Sequence, residues 1–198
     1  DLALFCLEQK NVKLNQKTDF MKMTTLFLAM ENLPGIAAKI IAAAPDEPVD
    51  MTAEDRQGNT FLHRIGINGL TDLIDTVIAR KGNVYQTNNQ GSTPLIEAVI
   101  HDHIDTAAHF IKRNSNIDAR NKTGMSALMY AARNGNVAML AMLSDAGADL
   151  TLKNDENLTA YDIARLNGHA EAVDFLKAQY AAQNLPLPAY EMVMKASH

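Results

Sequence analysis

A 33-residue period runs through this chain and constrains its fold more than any other feature. Gly58, Gly91 and Gly124 stand 33 residues apart, and the next step lands on Asn157. Asn is the residue that best imitates glycine where φ must be positive. Three positions before each of these stand Asp55, Asn88, Asn121 and Asn154, and two positions after stand Thr60, Thr93, Ser126 and Thr159. Leu62, Leu95, Leu128 and Tyr161 follow in phase, then Ile65, Ala98, Ala131 and Ala164. Five such columns over four copies imply one supersecondary unit used repeatedly, each unit burying its apolar face against the next.

The residue types say what each unit is. Asx-x-x-Gly predicts a tight turn with a side-chain acceptor at its first position and conformational freedom at its last. The hydroxyl residue predicts a helix N-cap, and Pro94 sits at the first helical position, where its missing N–H costs little. Small residues such as Ala127, Ala131 and Ala132 fill a short inner helix. Gly69, Gly135 and Gly168 predict a left-handed stop, with Asp102 in that place in the second copy. An outer helix follows, with apolar residues at helical spacing: Val137, Leu140 and Leu143, or Val173, Leu176 and Tyr180.

These motifs resemble the ankyrin repeat family. The nearest matches to its pattern are Asn88-Asn89-Gln90-Gly91-Ser92-Thr93-Pro94-Leu95-Ile96-Glu97-Ala98 and Ser144-Asp145-Ala146-Gly147-Ala148-Asp149-Leu150. The resemblance implies an all-α, ankyrin-repeat solenoid of stacked helix-turn-helix units with hairpin-like β-turn loops. It divides the chain into a partial repeat (1–18), a degenerate repeat (19–54), clear repeats at 55–87, 88–120, 121–153 and 154–184, and a C-terminal tail or capping helix (185–198). Tyr190, Val193 and Met194 share one helical face in that tail. The family His after Leu survives only as His63; Ile96, Met129 and Asp162 replace it, which predicts sparser polar stitching between neighbours.

Composition narrows the function. A net charge of -5, from 18 Lys+Arg and 23 Asp+Glu, argues against nucleic acid or an anionic membrane as partner. The longest apolar stretch, 36–44, is interrupted by Lys39 and falls far short of the roughly 20 residues that span a bilayer. The single Cys6, on an apolar run, cannot form an internal disulfide; that favours a cytoplasmic setting and a core role for the thiol. The chain begins at Asp1 without an initiator Met, so it reads as a piece of a longer protein.

Chemistry is sparse. His101, Asp102, His103, Asp105 and His109 contain metal-ligand types, yet they fall on separate turn and helix positions that need not converge. Asn121-Lys122-Thr123 and Asn157-Leu158-Thr159 fit the glycosylation acceptor, but the repeat itself already demands Asn121 and Thr159. There is no G-x-x-x-x-G-K, G-x-S-x-G or C-x-x-C. The expectation is therefore a non-enzymatic chain with no catalytic residues, metal or cofactor.

The family resemblance implies a concave partner-binding surface built from turn tips and inner helices. Projected onto this chain, the tips supply Arg56, Asn59, Asn89, Gln90, Lys122, Met125, Asp155 and Leu158. The inner helices supply Arg64, Glu97, Ile100, His101, Tyr130, Arg133, Asn134 and Leu166. Arg56, Arg64, Lys122 and Arg133 concentrate positive charge there, with exposed Met125 and Tyr130 as anchors, so the expected partner is a protein segment combining acidic and apolar residues. The chain is expected to be a monomer and a protein-interaction module. An alternative of another class is a targeting arm for an enzyme or bacterial effector whose catalytic domain lies outside this chain. Degenerate, Asn- and Met-rich arrays resemble those of effectors delivered into a host cytosol.

Overall fold

The computed structural model describes residues 50–188 together with Gly35. The expected repeats at 1–18 and most of 19–54, Cys6, and the helical face within 189–196 lie outside the described residues. Four helix pairs follow one another: α1 (Phe61–Asn68) with a 3-10 turn (Thr71–Leu73) leading into α2 (Ile74–Ala79), then α3 (Pro94–Ile100) with α4 (Ile104–Lys112). The third pair is α5 (Ala127–Asn134) with α6 (Val137–Asp145), and the fourth is α7 (Ala160–Leu166) with α8 (Ala170–Ala182). No strand occurs among the described residues; a single bridge joins Arg120 to Ser126.

Local chemistry explains why each pair forms. In every copy the Asx Oδ1 accepts two backbone N–H groups, two and four residues on: Gln57 and Asn59 for Asp55, Gln90 and Ser92 for Asn88. Asn121 does the same for Thr123 and Met125, and Asn154 for Glu156 and Leu158. The turn then requires a left-handed residue, and Gly58, Gly91, Gly124 and Asn157 all have φ between 63° and 78°. Thr93, Ser126 and Thr159 then cap α3, α5 and α7 by accepting from the third helical N–H. At the far end Gly69, Gly135 and Gly168, and Asp102 at φ 59°, turn the chain into the outer helix.

Packing joins the pairs into one array. Inner helices α1, α3, α5 and α7 contact their neighbours in order, and outer helices α4, α6 and α8 form a second row behind them. The buried apolar residues, from Met51 to Tyr180, make one continuous core. Turn tips are stitched by backbone bonds one copy apart: Asn89 N–H to Gln57 O (2.8 Å), Lys122 N–H to Gln90 O (2.9 Å) and Asp155 N–H to Thr123 O (3.2 Å).

Polar stitching is denser than the missing family histidines imply. His103 Nε2 bonds Ile67 O at 3.0 Å and His169 Nε2 bonds Arg133 O at 2.9 Å, each reaching back to the preceding copy. Each ring lies directly over the preceding stop glycine. A Cβ on Gly69 would sit 2.7 Å from His103 Nδ1, and one on Gly135 would sit 2.5 Å from His169 Nδ1. Where Asp102 replaces that glycine, the covering residue is the smaller Asn136, whose Nδ2 donates to Asp102 Oδ1 at 3.1 Å. A side chain gained on one copy is thus matched by one reduced on the next.

Candidate functional site

The face made of turn tips and inner helices is governed by pairs of side chains nine residues apart, one at the head of the turn and one on the inner helix. In the first pair Arg64 Nε and Nη2 both donate to Asp55 Oδ2, the former at 3.0 Å. In the second, Asn88 Nδ2 donates to Glu97 Oε1 (2.9 Å), and in the third Asn121 Nδ2 donates to the Tyr130 hydroxyl (2.8 Å). These three latches tie the turn to the helix behind it. In the fourth pair the helix residue is Ile163, which offers no acceptor, and Asn154 Nδ2 turns instead to Met125 Sδ at 3.5 Å.

A groove of about 450 Å³ opens where the latch is missing. Its floor is Met125, Tyr130, Leu158, Ile163 and Leu166, with Arg133 and Asn167 at the helix end and Thr123, Asn154, Asp155 and Glu156 at the turn end. The Arg133 guanidinium lies over the Tyr130 ring, 4.6 Å from its centroid. Leu166 is 54% exposed, unusual for a large apolar side chain on a stacked inner helix.

The sixteen residues expected on the partner surface divide by burial. Arg56, Asn89, Gln90, His101, Lys122, Arg133, Asp155 and Leu166 are exposed; Ile100, Asn134 and Leu158 are half-buried. Asn59, Arg64, Glu97, Met125 and Tyr130 are buried, which corrects their expected exposure. The reason is the same in each case. Arg64, Glu97 and Tyr130 are latch residues, and Asn59 bonds both Asp55 Oδ2 and Asn88 Nδ2. Met125 lies under the next turn, where Asn154 reaches its sulfur. Asn134 is half-buried because its Nδ2 donates to Ile100 O and Asp102 Oδ1.

The expected concentration of positive charge also changes. Arg64 is engaged with Asp55, while Asp155 and Glu156 bring exposed carboxylates to the rim of the groove. Asn154 and Ile163 occupy motif columns, where repeat geometry alone accounts for a residue. The signal that could have found them is the column Arg64, Glu97, Tyr130, Ile163 read against Asp55, Asn88, Asn121, Asn154: three complementary partners, then an apolar residue.

The His101 cluster disperses. His103 bonds Ile67 O, His109 Nε2 bonds Asp75 Oδ1 (2.8 Å), and Asp102 is taken by Asn134 and Asn136. No group of three metal-ligating side chains converges among the described residues. Arg113 joins His109 on Asp75, and its hydrogen bond, with that of His109, holds the Asp75 carboxyl down at about 2. His63 behaves differently from the rest. Its Nδ1 accepts the Thr60 N–H at 3.1 Å, so Nε2 carries the proton and donates to Ser92 O at 2.9 Å. Burial pushes its pKa down to about 4.

Comparison with known families agrees with this geometry. Residues 90–122 match the family model of the ankyrin repeat, and residues 111–164 match that of ankyrin repeats in many copies. This is an ankyrin-repeat protein. Ankyrin repeats are generally protein–protein interaction modules and typically non-catalytic. A search of curated proteins found no match to this ankyrin-repeat chain. No helix among its described residues is long and apolar enough to cross a membrane.

Proposed function

We propose that this ankyrin array binds a partner protein on its concave face, centred on the groove between the third and fourth helix pairs. The observation that carries the reading is Leu166, exposed beside a floor of Met125, Tyr130 and Ile163. Burying one such side chain contributes about 1.5–3 kcal/mol, and a few anchors of this kind dominate most interfaces. Arg133, held over Tyr130 by a cation–π contact, is pre-positioned and loses little freedom on binding.

The test compares two faces. A Leu166→Asp, Arg133→Glu double variant should lose the partners that the unaltered chain captures from a cell lysate, with an unchanged circular dichroism spectrum. Asp72→Ala with Asp174→Ala, both on exposed outer positions, should retain them. Loss of capture by the outer pair and not by the inner one would move the interface to the convex side.

A further inference from the structure

We infer that the groove selects an extended partner segment in which a basic and an acidic residue lie on either side of an apolar anchor. This rests on the concave-face reading and adds the chemistry of the occupant. The two ends of the groove carry opposite charge. Asp155 and Glu156 stand at the turn end, both exposed, and neither forms an ion pair among the described residues. Arg133 stands near the C-terminal end of α5, exposed, with the Tyr130 ring as its neighbour and no carboxylate partner among the described residues. At the equivalent positions the first pair has Arg56, Gln57 and Ile67 and the second has Asn89, Gln90 and Ile100, so neither carries opposite charges at its two ends.

The acidic pole stands on the turn that precedes α7, and the basic pole near the end of α5. Between them the floor of Met125, Tyr130, Leu158, Ile163 and Leu166 receives one apolar side chain. A carboxylate meeting Arg133 gains a charge-assisted bond, whereas a segment whose two charges share one sign would set like charges together at one end.

Selection of a random peptide library on the immobilised full chain tests this directly. The enriched sequences should carry a basic and an acidic residue flanking an apolar one. Arg133→Glu should weaken the best such peptide tenfold or more, and replacing the peptide's acidic residue by Lys should restore binding to that variant. Asp155→Lys with Glu156→Lys should do the same at the other end. Failure to enrich such a motif, or a motif indifferent to both charge reversals, would overturn the inference. Leu166→Asp separates the two levels of the argument: peptides that lose affinity for it but ignore the charge reversals sink this inference alone. Peptides that bind Leu166→Asp as well as the unaltered chain sink the concave-face reading too.

Discussion

The first and fourth helix pairs share a backbone and differ in almost everything their side chains do. In the first, Arg64 latches to Asp55, His63 Nε2 donates to Ser92 O, and the His103 ring covers Gly69. In the fourth, Ile163 leaves Asn154 without a latch, Asp162 Oδ1 is buried without a hydrogen-bond partner, and no described atom lies within 4 Å of a Cβ built on Gly168. Asp162 Oδ2 performs the capping role of His63 Nδ1, accepting from Thr159 N–H at 3.0 Å, so its second oxygen holds the place from which His63 reaches the next copy. The contrast teaches that the turn and the caps make the unit, while neighbours decide whether its polar groups are closed in or open. Closed positions stabilise the array. The open groove at the fourth pair is where we propose that a partner binds.

The largest effect should come from breaking the closed latch. Asp55→Ala removes the partner of the buried Arg64 and the acceptor of two turn amides, and should cost about 3–5 kcal/mol in urea denaturation. Asp55→Asn with Arg64→Glu copies the second pair's latch into the first and should recover most of that loss. If the double variant is no better than Asp55→Ala, the latches are not interchangeable and the comparison fails.

Stop glycines sharpen the contrast next. Gly69→Ala meets both the left-handed backbone and the His103 ring, and should cost about 3 kcal/mol. Gly168→Ala meets only the backbone term, about 1–2 kcal/mol. Equal melting temperatures for the two variants would mean that the ring contact is unimportant.

Acid should act on the closed pair first. The folded pKa of His63, about 4, lies below its ordinary value of 6.5, so the unfolded chain binds more protons between these limits. Stability is then fully present above about pH 6.5 and is lost as the pH falls toward 4, by about 3 kcal/mol from this group alone. His63→Met, the residue found at the equivalent Met129, should flatten that part of the stability profile. An unchanged slope would assign the acid sensitivity to other groups.

The smallest change in stability should accompany the largest change in binding. Ile163→Tyr gives Asn154 the hydroxyl partner that Asn121 already has and narrows the groove. Stability should change by about 1 kcal/mol or less, while affinity for a groove-bound peptide falls about tenfold or more. Retained affinity would show that the absent latch is not what makes the site.

Much of the fold was legible because its determinants are local. The Asx acceptor, the left-handed residue, the hydroxyl cap and the stop glycine act within about a dozen residues, and even the substitutions Asn157 and Asp102 adopt the positive φ their columns require. Of the residues expected on the partner surface, Met125, Tyr130, Arg133, Asp155, Leu158 and Leu166 line one groove. Burial was harder to read. A turn-tip Asn59 and an inner-helix Arg64 look solvent-facing by position, yet their polar atoms close on partners four to nine residues away in sequence and across the face in space.

The amino-acid order settles the periodic unit, its turn and its caps, because a backbone N–H must find an acceptor within its own segment whatever packs outside it. What stacking decides is the groove. The latches are local, each closing nine residues apart within one copy. The groove is not: Met125, Tyr130 and Arg133 come from one copy and Leu158, Ile163 and Leu166 from the next, about 33 residues on along the chain. Only the packed array brings those side chains together, so the distribution of burial emerges with it.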